Sequence, residues 1–143
     1  MPLKSYNKLM NQTLENMRRP NEEHLCRVYG IYWREVAFGI LPTKMSEMFA
    51  AITSGGELVL FYYDRFMRPV ERILPLSAAT KLKIKGPSAL GTFKISMKLK
   101  VNGKKERVDM QIASAVIDSD LDDQPKNVDR FIRELRRGTK IFY

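Results

Sequence analysis

The chain has 143 residues, 44% hydrophobic and 29% charged, a balance that supports one globular domain with a real core and excludes a disordered polymer. No apolar run approaches a membrane-spanning helix in length; Val36–Leu41, among the longest, is flanked by Arg34 and Lys44. The net charge of +9 is local: residues 76–110 hold nine bases against Glu106 and Asp109, while residues 41–75 and 111–143 balance.

Such a concentration implies a partner with an acidic surface, whereas an even spread would bear on solubility alone. The start, Met1-Pro2-Leu3-Lys4, lacks the apolar stretch of a secretory signal. Cys26 is the only cysteine, which excludes an internal disulfide and a thiolate metal cluster and makes a cytoplasmic setting the expectation.

In chain order, Leu3, Tyr6, Met10, Leu14 and Met17 recur three, four or seven apart and predict a helix over Ser5–Arg18, stopped by Arg19-Pro20-Asn21. Its apolar stripe, with Lys4, Lys8, Arg18 and Arg19 nearby, suits either packing on its own domain or lying on an anionic membrane. Leu25–Trp33 and Glu35–Leu41 are rich in β-branched, aromatic and aliphatic residues and predict strands. Met48–Thr53 and Glu57–Tyr63 flank Ser54-Gly55-Gly56, a hairpin in which both glycines are expected to supply positive φ angles. Val70–Leu76 predicts a further strand, followed by a helical turn at Ser77-Ala78-Ala79.

Next comes a meander. Lysines alternate with Leu82 and Ile84 over Lys81–Lys85, Gly86–Gly91 turns the chain, and Thr92–Val101 alternates again. Asn102-Gly103 is a strong hairpin signal and leads into Lys104–Ser114. With those two residues as the loop, Val101 opposes Lys104, Met97 opposes Val108, Ile95 opposes Met110 and Phe93 opposes Ile112. A slip of one residue would turn polar side chains into the core, so the apolar pairs fix the register. Ile117–Gln124 is an acidic loop. Val128, Phe131, Ile132 and Leu135 then mark the buried face of a last helix, with Asp129 in its first turn, Arg136 and Arg137 in its last and Gly138 suited to the C′ position.

The register forces like charges together on the outer face. Lys98 opposes Arg107, Lys100 opposes Lys105, and Lys94 is expected near Lys83. Each opposed pair costs a few tenths to about 1 kcal/mol. The face is either a solvated, edge-protecting surface or a docking site for an anion. Its uncharged outward positions are Thr92, Ser96 and Gln111, without an aromatic, which argues against stacking on single-stranded nucleic acid. Other signals are thin. His24 and Cys26, two apart, lack the third group that a nucleophilic pair needs, and read as a boundary histidine and a buried thiol. Asp118, Asp120 and Asp122 open like a calcium loop, but Asp123 stands where such a loop needs glycine and Asp129 where it needs glutamate.

Ala50-Ala51-Ile52-Thr53-Ser54-Gly55-Gly56-Glu57-Leu58-Val59-Leu60-Phe61 resembles the signature hairpin of bacterial pleckstrin-homology-like domains, with Ser-Gly-Gly in place of the customary turn lysine or arginine. Arg72–Ser77 resembles the family's next strand and short helical exit, and the lysine meander and Val128–Leu135 resemble its last strands and capping helix. The leading helix followed by Glu22-Glu23-His24-Leu25 is similar to the start of the YokE-like subgroup, and the likeness spans most of residues 20–137. It implies a fold without a catalytic motif. Eukaryotic relatives in fold often bind phosphoinositides through bases near the first two strands; Leu25–Leu41 offers only Arg27 and Arg34, so that site is not carried over.

The expectation is therefore a mainly β, PH-like chain: two packed antiparallel sheets of about seven strands, capped by a C-terminal α-helix, with an extra N-terminal helix. Residues 1–20 are the N-terminal helix and 21–143 the β domain with its C-terminal helix, as one structural unit. The expected function is a non-catalytic binding module of cytoplasmic or membrane-peripheral location, without a cofactor or metal. It docks through Lys81, Lys83, Lys85, Lys94, Lys98, Lys100, Lys105 and Arg107 to an anionic lipid surface or an acidic protein. The alternative is nonspecific nucleic-acid binding by the same face, and an edge strand offers a route to homo-oligomers.

Overall fold

The computed structural model describes residues 6–34, 44–64, 66–116 and 119–140. Helix α1 (Tyr6–Met17) leads into strands β1 (His24–Arg34), β2 (Lys44–Thr53), β3 (Glu57–Tyr63) and β4 (Pro69–Pro75). A 3-10 turn (Leu76–Ala78) then precedes β5 (Ala79–Lys85), β6 (Thr92–Val101), β7 (Lys104–Ala113) and helix α2 (Gln124–Thr139). The strand expected over Glu35–Leu41 lies outside the described residues, as do Ile117 and Asp118.

The chain is mainly β, with strands in one antiparallel sheet of order β4-β3-β2-β1-β7-β6-β5. The two expected sheets are thus two meanders, β1–β4 and β5–β7, joined edge to edge where Ile31 pairs with Gln111 and Tyr32 with Met110. Their inward side chains form one buried cluster: Val28, Ala50 and Leu60 from the first meander join Met97, Val108 and Met110 from the second. Val128, Phe131, Ile132 and Leu135 of α2 enter the same cluster, so the predicted apolar stripe is the one that is buried. Each large side chain fully removed from water there contributes about 1.5–3 kcal/mol. The edges are β4, bounded by Pro69 and Pro75, and β5, which carries three lysines; both features oppose edge-to-edge pairing.

Helix α1 lies on the outer face of the first meander, where Met10, Leu14 and Met17 pack with Phe49, Ala51 and Val59. Its apolar stripe is covered by its own domain. Arg27 reaches from β1 to the Asn11 Oδ1 and Glu15 carboxylate of the helix, and the Asp120 carboxylate accepts the Asn7 N–H at 2.9 Å, capping the first turn. That is a structural task for one member of the acidic loop.

Helix α2 departs from expectation at both ends. It begins at Gln124, so Asp129 lies beyond its first turn, and it runs through Gly138 to Thr139, with Lys140 taking the left-handed cap at φ 55°. Gln124 is buried because its amide serves the sheet. Nε2 donates to the Tyr29 and Ala113 carbonyls at 2.8 and 3.0 Å, and Oε1 accepts the Tyr29 N–H at 3.1 Å. Gly138 is needed for space rather than for capping: a Cβ there would stand 2.4 Å from Leu76 Cδ1. In the β2–β3 turn, only Gly56 takes a positive φ (79°).

Further along the strands from α2, the core is closed by a Tyr32–Tyr62 stack with ring centroids 4.0 Å apart and an Arg72–Glu106 ion pair at 2.5 Å joining β4 to β7. Both partners of that ion pair are only partly buried, so it contributes modestly to stability and acts chiefly to link the two meanders.

Candidate functional site

The β6–β7 register is the predicted one, from Val101↔Lys104 through Met97↔Val108 to Phe93↔Ile112. Lys98 therefore opposes Arg107 and Lys100 opposes Lys105. The β5–β6 register differs from expectation: Lys94 pairs with Lys85, not Lys83, and Lys81 pairs with Lys98. A shift of two keeps every apolar residue inward, so hydrophobic pattern alone does not separate the two registers. The turn does. Ser88 N–H donates to the Thr92 carbonyl at 2.9 Å and Ser88 Oγ accepts the Thr92 N–H at 3.2 Å, which tightens the reversal to Ser88–Gly91 and lets pairing run further in.

The result is a set of cross-strand rows on the outer face. Lys81, Lys98 and Arg107 form one; Lys83, Ser96 and Asp109 the next; Lys85, Lys94 and Gln111 the third. Six of the eight predicted site residues, namely Lys81, Lys83, Lys85, Lys94, Lys98 and Arg107, line a single groove of about 580 Å³. That volume lies within the roughly 300–1,000 Å³ of clefts that hold small ligands. Lys100 and Lys105 lie outside it, in a neighbouring hollow that shares Lys98 and Arg107 with the groove. Among the described residues, Asp109 is the one carboxylate in the lining, and it is paired within its own strand to Arg107 Nε at 2.7 Å. The lysine face thus keeps a large excess of positive charge facing a concave surface.

Trp33 also lines this groove, which corrects the expectation that the face carries no aromatic. The three lysine-bearing strands carry no outward aromatic of their own over these rows; Trp33 arrives from β1. Continuing the Ile31↔Gln111 register by two residues brings it to the flank of Asp109. The signal was a lone tryptophan near a strand end; what was missing was that β1 pairs with β7. An indole beside lysines gives an amphipathic wall that can stack on a planar group or sit at a lipid–water boundary.

Chemically, the groove offers ammonium donors, one guanidinium, a hydroxyl and an amide, a set suited to holding phosphate or carboxylate oxygens. Lysine supplies point charge more than fixed geometry. The His24–Cys26 pair is not assembled. A bulge lies between them, so His24 turns to accept a hydrogen bond from Arg27 Nε at 3.0 Å while Cys26 enters the core. Burial pushes the Cys26 thiol up to about 11. Below that value the neutral thiol dominates, so at pH 8 a thiol-reactive dye is expected to leave the folded protein unlabelled and to react on unfolding. Ready labelling under native conditions would contradict this placement.

The overall fold is similar to that of the hSac2 domain from human phosphoinositide phosphatase Sac2. The TM-score is 0.56 at 10% identity, over 94% of this chain and 81% of that one. At that identity the likeness concerns the fold alone. No family model and no curated protein matches the chain.

Proposed function

We propose that the protein is a non-catalytic, PH-like binding module that docks through the lysine groove to an anionic membrane surface. The observation that carries this reading is the gathering of five lysines and Arg107 around one groove, against a single carboxylate among the described residues, already paired to Arg107. Opposed lysines destabilise the free sheet, and a layer of lipid phosphates relieves that repulsion. Basic clusters near a bilayer contribute about 1 kcal/mol per lysine or arginine, so six suffice for reversible, salt-sensitive attachment. The sequence resemblance to bacterial pleckstrin-homology-like domains agrees with a binding role, and the location proposed with it is peripheral, on the cytoplasmic leaflet. An acidic protein is the other partner with the same charge requirement.

A second reading, nucleic-acid binding, gains from one finding: Trp33 supplies the stacking aromatic that the lysine strands lack. One experiment separates the readings. Sedimentation with vesicles of phosphatidylglycerol and phosphatidylcholine is compared with neutral vesicles, duplex DNA and single-stranded RNA, for the wild type and for Lys94→Glu/Lys98→Glu. The expected result is salt-sensitive binding to anionic vesicles that falls by at least about tenfold in the variant. Wild-type indifference to anionic vesicles, equal binding by the variant, or preferential capture of RNA would each overturn the membrane reading.

A further inference from the structure

Beside the groove, the surface turns apolar in a way the core does not require. Met45, Tyr63, Phe66 and Met67 are 58%, 40%, 62% and 73% exposed, an unusual concentration of large apolar side chains for a soluble surface. The sheet register brings them to one edge. Met45 pairs with Trp33 across β1 and β2, Tyr63 ends β3 opposite Pro69 of β4, and Phe66 and Met67 cap the connection between those strands. Asp109 lies level with Trp33, and the Lys81–Lys98–Arg107 row lies further toward the same edge. Cations, an indole and an apolar tip therefore follow one another along one rim of the sheet.

The tip is a stiff turn. The Asp64 carboxylate accepts the Phe66 and Arg68 N–H groups at 2.8 and 2.9 Å and pairs with Arg68 Nε at 2.9 Å; the Asp64 and Arg68 main chains bond at 2.9 Å. These bonds, the one from Arg68 N–H first, hold the Asp64 carboxyl below its ordinary range. Met67 stands at φ 60°, a conformation that costs energy for a residue with a Cβ. The Arg68 guanidinium lies 5.1 Å over the Phe66 ring, a cation set beside the exposed aromatic. A turn held this way presents Phe66 and Met67 outward instead of letting them fold back.

We infer that Phe66 and Met67, with Tyr63, Met45 and Trp33 behind them, insert into the acyl boundary of an anionic bilayer while the lysine groove gathers its headgroups. The inference rests on the membrane reading above and adds a hydrophobic contact to a charge contact. Charge complementarity selects this occupant: an apolar tip flanked by a basic face matches a surface that is anionic outside and apolar a few ångströms in, with tryptophan and tyrosine at the boundary. A nucleic acid offers no apolar layer for methionine and phenylalanine.

Trp33 is the chain's single tryptophan, so its emission reports on this rim directly. With the full chain and phosphatidylglycerol–phosphatidylcholine vesicles, its emission is expected to shift to the blue and to be quenched by lipids brominated on the acyl chains. Phe66→Ser/Met67→Asn alters only exposed side chains and suits the left-handed turn. It is expected to keep the wild-type melting temperature, lose about tenfold in vesicle partitioning and retain salt dependence. Unchanged partitioning of this variant, or no quenching by brominated lipid while the wild type still sediments, overturns insertion and leaves charge docking standing. Failure of the wild type to bind anionic vesicles at low salt overturns both.

Discussion

Gly30→Ala is expected to destabilise the fold by about 2–4 kcal/mol and to lower the melting temperature by roughly 10 °C. Gly30 pairs with Met48 of β2 on one side of β1 and, on the other, directly precedes the short pairing of Ile31 and Tyr32 with β7. A Cβ there would stand 2.7 Å from the main-chain oxygen of Gln111 and 3.1 Å from both Ile112 Cγ1 and Met48 Cε. A flexible side chain can yield at such a distance, but a carbonyl held in a sheet cannot without opening the pairs Ile31↔Gln111 and Tyr32↔Met110. Those pairs join the two meanders. Hydrogen exchange in the variant is therefore expected to quicken first at the β1–β7 junction. The glycine requirement is one of space, in contrast to Gly103, whose φ of 79° needs glycine although nothing lies near it. Unchanged melting and unchanged protection at Tyr32 and Met110 would show that the junction spreads at little cost, contrary to this account.

The second large effect has opposite signs in stability and in binding. Lys98 stands between Lys81 and Arg107 in one cross-strand row. Lys98→Glu replaces two repulsive neighbours with two attractive ones and is expected to stabilise the fold by about 1 kcal/mol in urea unfolding. The same change removes two units of positive charge from the groove, so anionic-vesicle affinity is expected to fall by about tenfold to thirtyfold. A solubilising surface would show the gain in stability without the loss in binding. Loss of stability in Lys98→Glu would instead give Lys98 a packing role through its stem, and the repulsion argument would fail.

Much of this was legible in the amino-acid order because local chemistry dictates it. The β6–β7 register followed from Asn102-Gly103 and three apolar pairs, and the α2 core face from a 3.6-residue period, since a misplaced apolar side chain loses its burial free energy. The like-charge rows followed from the register. Other features depend on partners distant in sequence. The β5–β6 register turned on hydrogen bonds between Ser88 and Thr92, because a slip of two leaves the inward pattern intact. The early start of α2 turned on a buried amide that bonds Tyr29 and Ala113, and its late end on the fit of Gly138 against Leu76.

The lysine strip itself is written in the sequence: alternation and turn chemistry place its cations on one face of three strands whatever surrounds them. Its being a groove with an indole in the wall, and its continuity with an exposed apolar rim, are tertiary facts. They arise because β1, paired with β2 along one side, also pairs with β7 along the other, setting Trp33 beside residues more than seventy positions away in the chain. Side-chain period fixes which face a residue occupies, but only strand order decides which faces meet.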